Sequence, residues 1–300
     1  MNLTILGAGA MACLLGSRLA AVAEVTLVGT WPEGVAALRQ HGVRVEGPAG
    51  TRVVPVQAVL ADEPAPPADL ALVLVKAWQT PYAAAQLAAR LGPAGVALTL
   101  QNGLGNLEQL GPRAYLGVTT QGATLLGPGH VRPGGDGPTH IAGPAWLAAL
   151  FEQAGCEAHT VAPEQVESLL WGKLAANCAI NALTALLRVP NGELLQRPDA
   201  AAALMDLAAE ECAAVARARG IALPFPDAAG QARRVAKQTF LNHSSMFQDI
   251  LRGAPTEVEA INGAVAQAAE RLGVPAPVNT TLWRLVRALA ASAPAQPPRA

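Results

Sequence analysis

Six residues near the start of the chain, Gly7-Ala8-Gly9-Ala10-Met11-Ala12, constrain its fold more than any other stretch. A short apolar run at 3–6 precedes them, a segment of helical length at 11–21 follows, and a second apolar run at 25–28 completes a β-α-β unit. The pattern is G-x-G-x-x-A. Gly7 permits the tight turn, Gly9 leaves room for a pyrophosphate against the backbone, and Ala12 lets helix and strand pack closely. The helix N-terminus then offers unpaired N–H groups and a positive dipole end to phosphates. Its place between a strand and a helix makes this a dinucleotide site built from residues 7–12; the plain alternative is a tight β-α turn with no ligand.

Apolar runs at 70–75, 96–100 and 115–120 continue the strand series, with a helix predicted at 81–91. Two short strands at 43–46 and 52–56 flank Gly47-Pro48-Ala49-Gly50 and read as an inserted hairpin. Small hairpins at the sheet edge are expected in the Gly/Pro-rich stretch 127–143, then a helix at 144–154. Strands alternating with helices imply a mostly parallel, doubly wound sheet, the Rossmann-type α/β class. Lys76 and Asn102 follow two of its strands and are expected at the carboxyl edge, where ligands bind in such sheets. A loop charge and a turn former are the plain readings of these two. Strand two ends in Val28-Gly29-Thr30-Trp31. No acidic residue stands there for a ribose 2′-hydroxyl and no Arg for a 2′-phosphate; Thr30 could hydrogen-bond a phosphate, and Arg39 lies further along.

Beyond about residue 163 strand patterns vanish, and helices are predicted at 164–187, 198–219, 227–242, 256–272 and 279–290. The expected division is a dinucleotide-binding domain over 1–165, an all-α domain over 166–292, and a disordered Pro/Ala tail at 293–300. In the first of these helices Lys173, Asn177 and Asn181 interrupt an otherwise apolar segment at i, i+4 and i+8, with Thr184 near the same stripe. A solvent face is the ordinary explanation of such a stripe. Solvent faces carry Glu, Lys, Arg or Gln, however, whereas Asn is a mediocre helix former. Two Asn and one Lys read instead as ligands for something polar, and a partly buried Lys suits a general acid near neutral pH. Asn191-Gly192 is a turn by its local chemistry. A Ser of Ser244-Ser245 is expected to cap the following helix, and Thr256 with Glu259 fits a capping box that leaves Glu257 unexplained.

Composition excludes several classes. A formal net charge of -1 and scattered basic residues do not suit a nucleic-acid groove. Cys13, Cys156, Cys178 and Cys212 form no C-x-x-C pair and read as buried thiols of a reducing compartment; no metal site is expected. The first 23 residues are apolar and end in Ala21-Val22-Ala23, but they lack a basic start and are broken by Gly7, Gly9 and Gly16. The sequence reads as a cytoplasmic protein without a membrane span.

Six separate motifs, in order and at matching spacings over about residues 1–290, resemble the ketopantoate reductase (2-dehydropantoate 2-reductase) family. They are Lys76-Ala77-Trp78, Gln101-Asn102-Gly103, the run from Lys173 to Asn181, Asn191-Gly192-Glu193-Leu194, Ser244-Ser245-Met246-x-Gln248-Asp249, and Thr256-Glu257-x-x-x-Ile261-Asn262-Gly263. The resemblance implies a helical domain of the 6-phosphogluconate dehydrogenase C-terminal type. It also implies hydride transfer from NADPH to C2 of 2-dehydropantoate, giving (R)-pantoate for pantothenate and coenzyme A. Lys173 matches the family's proton donor. Asn177, Asn181, Asn191 and Ser245 match substrate-binding positions, and Asn102 matches one touching both substrate and cofactor. Lys76, Ala123 and Glu257 match cofactor-contacting positions, Glu257 also standing near the reacting centre. The family's two halves enclose a cleft whose closure excludes water. Where many members carry an Arg after strand two, this chain has Thr30, which leaves NADH use open. Another 2-oxo or 3-hydroxy acid dehydrogenase of the same architecture is the nearest rival; a nicotinamide sensor without turnover would have no need of Lys173. A homodimer through the helical half is one option the sequence leaves open.

Overall fold

Runs of Leu, Val and Ile form the centre of the N-terminal half. In the computed structural model, which describes residues 1–291, the chain divides into two compact units. One comprises Met1–Gln101 and Asn106–Val166, the other Asn102–Gly105 and the chain from Glu167 onward. The tail expected at 293–300 lies outside the described residues.

The first unit contains twelve strands: β1 (Asn2–Leu6), β2 (Glu24–Gly29), β3 (Val43–Gly47), β4 (Gly50–Val54), β5 (Gln57–Leu60), β6 (Ala68–Val73), β7 (Leu91–Thr99), β8 (Ala114–Thr119), β9 (Gly122–Gly127), β10 (His130–Gly135), β11 (Thr139–Ala142) and β12 (Ala158–Thr160). Eight form one sheet in the order β12-β11-β8-β7-β6-β1-β2-β5, parallel except where β11 meets β8. The helices of this unit are α1 (Ala10–Leu19), α2 (Pro32–His41), α3 (Thr80–Arg90), the single turn α4 (Leu107–Leu110) and α5 (Ala145–Gln153). They cover both faces, so the central strands are apolar on both sides. The strand period of two sorts them: Leu3, Ile5, Leu70 and Leu72 join the core under α1 and α5, while Leu6, Ala71 and Val73 join that under α3. Gly16 allows the close approach of α1, since a Cβ there would meet Ile5 Cδ1 at 3.3 Å. Phe151 of α5 is fully buried in the first core. Phe151→Ala is expected to destabilise this unit by about 3–5 kcal/mol, read as a lower urea midpoint.

The hairpin at the β9 and β10 positions does not extend the main sheet; it pairs with β3 and β4 in a separate four-stranded sheet, ordered β4-β3-β10-β9. Its inner residues, Val45 and Val131, pack into the same core as α1, which selects this arrangement over the sheet edge. α2 and β5 are additions to the elements expected from the sequence. Only Gly34, Val35 and Leu38 of α2 are buried, and β5 buries Ala58 alone, so neither shows an apolar period.

The second unit is helical: α6 (Pro163–Leu187, whose first turns lie before the division), α7 (Ala203–Ala218), α8 (Ala228–Gln238), α9 (Ser245–Leu251), α10 (Ala264–Leu272) and α11 (Pro277–Ala291). Its core is lined by alanines, among them Ala175, Ala179, Ala182, Ala208, Ala209, Ala213, Ala232 and Ala269. Small side chains let helix axes approach closely and leave few gaps. At 25 residues α6 is long and apolar enough to cross a bilayer; 72% of its most apolar window is buried inside the protein, as in a core helix. The helix predicted at 227–242 ends at Gln238, with Asp227 as its N-cap accepting from Gly230 N. The capping box expected from Thr256 and Glu259 does not form. Thr256 Oγ1 accepts from Val258 N at 3.4 Å, Glu259 turns away to Trp283 Nε1 and Arg287, and a π turn (Glu259–Gly263) leads into α10.

Candidate active site

The site residues read from the sequence divide between the two units. In the first unit β1 stands where the strand order reverses, with β2 on one side and β6 on the other, the position that gathers ligands in open parallel sheets. Gly7 leaves β1 with φ +129° and its N–H bound to Val28 O at 2.8 Å. A Cβ on Gly7 would press Leu74 O at 3.1 Å, in a backbone conformation L side chains rarely adopt, so glycine is required there by the fold. Gly9 differs. It is exposed, has extended backbone (φ -84°, ψ -170°), and a Cβ there would meet nothing within 4 Å. It is the N-cap of α1 without a side-chain cap, and the first turn holds no acidic residue. Ala10 and Met11 are partly exposed on that turn, while Ala8 and Ala12 pack inward. The open space before Gly9, at a helix N-terminus, fits a pyrophosphate and answers no need of the fold.

Thr30 is exposed at the end of β2. Arg39 is committed elsewhere: its Nε donates to Ala58 O at 2.8 Å and its guanidinium pairs with Glu63, which also accepts from Leu60 N. Lys76 is partly exposed just past β6, and its backbone N–H donates to Gln79 Oε1 at 3.3 Å. Ala123 lies on β9, partly buried against the core beneath α1. Gln101, the first residue of the Gln101-Asn102-Gly103 motif, has a structural task. Its Nε2 donates to Val75 O and to Thr80 Oγ1, both at 2.9 Å, and Thr80 Oγ1 donates to Asn106 Oδ1 at 2.9 Å. These bonds tie together the ends of β6 and β7 and the start of α3.

Asn102 stands three residues past the carboxyl end of β7. The segment Asn102–Gly105 packs with the second unit, where Leu104 N donates to Ala260 O at 3.0 Å. Gly103 makes this approach possible: its φ is +81°, and a Cβ would lie 2.5 Å from Ala260 O.

Within the second unit Lys173, Asn177 and Asn181 stand on one stripe of α6, spanning about 12 Å along the axis. Lys173 and Asn177 are partly exposed and Asn181 is buried. Gly172, costly in a helix, is explained by Pro224 and Phe225, which a Cβ would meet at 2.9 and 3.1 Å. Ser168 Oγ, one turn earlier, donates to Ala222 O at 2.6 Å, and Arg219 lies over the buried Trp171 ring. Desolvation in this packed setting pushes the Lys173 ammonium down from 10.5 to about 8, against the opposing pull of the Glu257 carboxylate. Glu257 is itself buried and begins the turn that leads into α10.

Asn191 is buried, with Nδ2 donating to Thr239 Oγ1 at 2.9 Å and Oδ1 without a partner. Its backbone N–H donates to Asn242 O, and Gly192 lets the Phe240 ring lie against the chain. Ser244 is the N-cap of α9, accepting from Phe247 N, and shares a 2.7 Å hydrogen bond with Thr184 Oγ1 of α6. The capping task therefore falls to Ser244, and the partly exposed Ser245 takes no part in it. The second unit thus holds a lysine with a lowered pKa under the influence of a buried carboxylate, two amides on the same stripe of α6, and, on other elements, a buried amide oxygen without a partner and a partly exposed hydroxyl. Groups of these types can hold a small polyfunctional anion and supply a proton.

Comparison with known proteins adds a lineage. The model of the family "Ketopantoate reductase PanE/ApbA" matches residues 3–146, and that of its C-terminal part, "Ketopantoate reductase PanE/ApbA C terminal", matches 165–290. The 2-dehydropantoate 2-reductase of Halobacterium salinarum is 38% identical over 302 residues, covering 96% of this chain and 98% of its own. Among solved structures, a PanE/ApbA family ketopantoate reductase from Ralstonia eutropha superposes with a TM-score of 0.89 at 36% identity, covering 97% of this chain and 99% of that one. A D-mandelate dehydrogenase solved with NADH and anilino(oxo)acetate superposes with a TM-score of 0.90 at 28% identity, over the same shares of both chains.

Proposed function

Because the chain belongs to the ketopantoate reductase family, we propose that it reduces 2-dehydropantoate to (R)-pantoate with NADPH, a step toward pantothenate and coenzyme A, and that Lys173 is the proton donor. It is an oxidoreductase of the NAD(P)H-dependent kind acting on a keto group. The observation that carries the finer reading is the Lys173 stripe on the buried helix α6, with an ammonium held near neutrality and a buried carboxylate acting on it.

When bound, the reduced cofactor supplies a hydride for the keto carbon. Residues 7–12 are assigned to its pyrophosphate, with Thr30, Lys76, Ala123, Asn102 and Glu257 as further contacts. Hydride addition leaves an oxyanion at C2. The Lys173 ammonium stabilises that charge and gives up a proton to it, which a pKa of about 8 makes easier than the usual 10.5. Asn102, Asn177, Asn181, Asn191 and Ser245 are assigned to the substrate's carboxylate and hydroxyl. The unpaired Oδ1 of Asn191 suits a hydroxyl donor.

The test is loss of reduced-cofactor absorbance when the pure protein meets 2-dehydropantoate, with NADPH and NADH in parallel. Rapid oxidation with NADPH is expected. Failure with both cofactors, in protein shown to bind one of them, overturns the substrate. The pH dependence has a defined sign. Reduction needs protonated Lys173, so kcat/KM is expected to fall as pH rises through about 8, instead of holding to the range of an exposed lysine. Glu257→Gln removes the charge that favours the ammonium, and should move this basic limb to still lower pH.

A second reading rests on the D-mandelate dehydrogenase likeness. An aryl-substituted 2-oxo acid presents the same carboxylate and keto group to the Lys173 stripe, and NADH would then serve. The committed position of Arg39 beside Glu63 favours this cofactor, since it takes one cation near strand two out of reach of a 2′-phosphate.

A further inference from the structure

One motif residue remains without a task in the reaction. Asn262 is fully buried in the alanine-lined core of the second unit, where an amide is costly unless its hydrogen bonds are met. Its Nδ2 donates to Cys178 O of α6 at 3.1 Å and to Asn279 Oδ1 of α11 at 3.0 Å. Asn279, also fully buried, donates through Nδ2 to Ala208 O at 3.0 Å and to Glu211 Oε2 at 2.8 Å, both on α7. Glu211 in turn accepts from Val278 N and Asn279 N in the first turn of α11.

The direction of every bond follows from one group. The Glu211 carboxylate only accepts, so it fixes the Asn279 amide with its NH2 toward α7 and its oxygen toward Asn262. That oxygen, together with Cys178 O, fixes the Asn262 NH2. The cost of this choice is visible, for Asn262 Oδ1 is left buried without a partner. Gly263 beside it is explained by packing alone, since a Cβ would meet the Trp283 ring at 2.9 Å.

The two ends of the Asn262 bridge fall next to the proposed reaction machinery. Cys178 follows Asn177 on the stripe of α6, five residues beyond Lys173. Asn262 lies in the π turn immediately after Glu257, whose carbonyl accepts from Ala260 N and Ile261 N of the same turn. We propose that Asn262 is a positioning residue: its amide ties the turn that carries Glu257 to the helix that carries Lys173, and so sets the place of the carboxylate relative to the proton donor. This rests on the assignment of Lys173 and Glu257 made above. A core packed with apolar side chains alone would allow the turn to slide along α6; a directional amide with both hydrogens committed does not.

Asn262→Leu keeps similar bulk and removes the bridge. The readouts are kcat, the basic limb of the kcat/KM profile, the Kd of NADPH and NADH by fluorescence titration, and the thermal midpoint. A displaced carboxylate should lower kcat by about tenfold or more and move the basic limb downward, and because Glu257 is also assigned to the cofactor, any rise in cofactor Kd should not exceed that of Glu257→Gln. In the Asn262→Leu, Glu257→Gln double variant, the limb should match that of Glu257→Gln alone, because Asn262 acts through Glu257. Should Asn262→Leu fail to fold, Asn262→Ser, smaller and with a hydroxyl donor, carries the same comparison. A lower thermal midpoint with an unmoved basic limb, or losses that multiply in the double variant, overturns the proposal in favour of a purely structural role. Failure of the site assignment is separate: Lys173→Ala with undiminished turnover would reveal it whatever Asn262 does.

Discussion

Replacing Lys173 by alanine lowers kcat for keto reduction on the order of 10²–10⁴-fold, the range of a general acid, and leaves the Kd for reduced cofactor within about twofold. The asymmetry follows from the architecture. The glycine turn of residues 7–12 lies in the α/β unit, whereas Lys173 lies on α6 in the core of the helical unit. Its pKa of about 8 leaves the acid form dominant at neutral pH and still able to release a proton. Lys173→Arg keeps a positive charge but not a transferable proton, since guanidinium stays protonated above pH 12. It should recover oxyanion stabilisation without proton donation and fall between alanine and the parent. Steady-state rates with fluorescence titration of cofactor separate the two quantities. Unchanged kcat in Lys173→Ala would remove Lys173 from the chemistry.

The second large effect belongs to Gly9. A Cβ there meets nothing within 4 Å, and the backbone is ordinary extended chain, so Gly9→Val should leave the thermal midpoint nearly unchanged. The branched side chain would fill the space before the α1 N-terminus. Losing two charge-assisted hydrogen bonds to a phosphate would raise the cofactor Kd by about 10²-fold or more. Gly7→Val provides the contrast. At φ +129°, with Leu74 O 3.1 Å from the added Cβ, it should cost stability as well as binding. Calorimetry on the two variants distinguishes a glycine kept for a ligand from one kept for the fold. An unaltered Kd in Gly9→Val would show that no phosphate approaches that turn.

The parts of this molecule legible in the sequence are those with a local period. The apolar runs of β1, β2, β6 and β7 and the glycine turn after β1 are written in consecutive residues. The Lys173, Asn177, Asn181 stripe emerges from the helical repeat of α6 because Asn is out of place there. Pro32 at the first helical position with Glu33 in the first turn marks the start of α2, a signal sufficient to find it although its apolar face is only three residues wide. Other features depend on distant partners. Thr256 and Glu259 satisfy the capping-box spacing, yet Trp283 and Arg287 from α11 draw Glu259 away. Asn102 follows a strand, yet Gly103 lets its loop close on Ala260, some 160 positions along the chain. The tasks of Gly16, Gly172 and Gly192 are likewise invisible until Ile5, Pro224 and Phe240 arrive beside them. Asn262 belongs to the same group, since its partners come from two other helices, α6 and α11.

The most direct measurement on the central reading is a specificity comparison, with kcat/KM for 2-dehydropantoate set against phenylglyoxylate, the oxidised form of mandelate, and the product resolved by chiral chromatography. The reading of this chain as a ketopantoate reductase requires 2-dehydropantoate to be the better substrate and (R)-pantoate to be the product. Preference for the aryl acid, or oxidation of cofactor by neither, would contradict it.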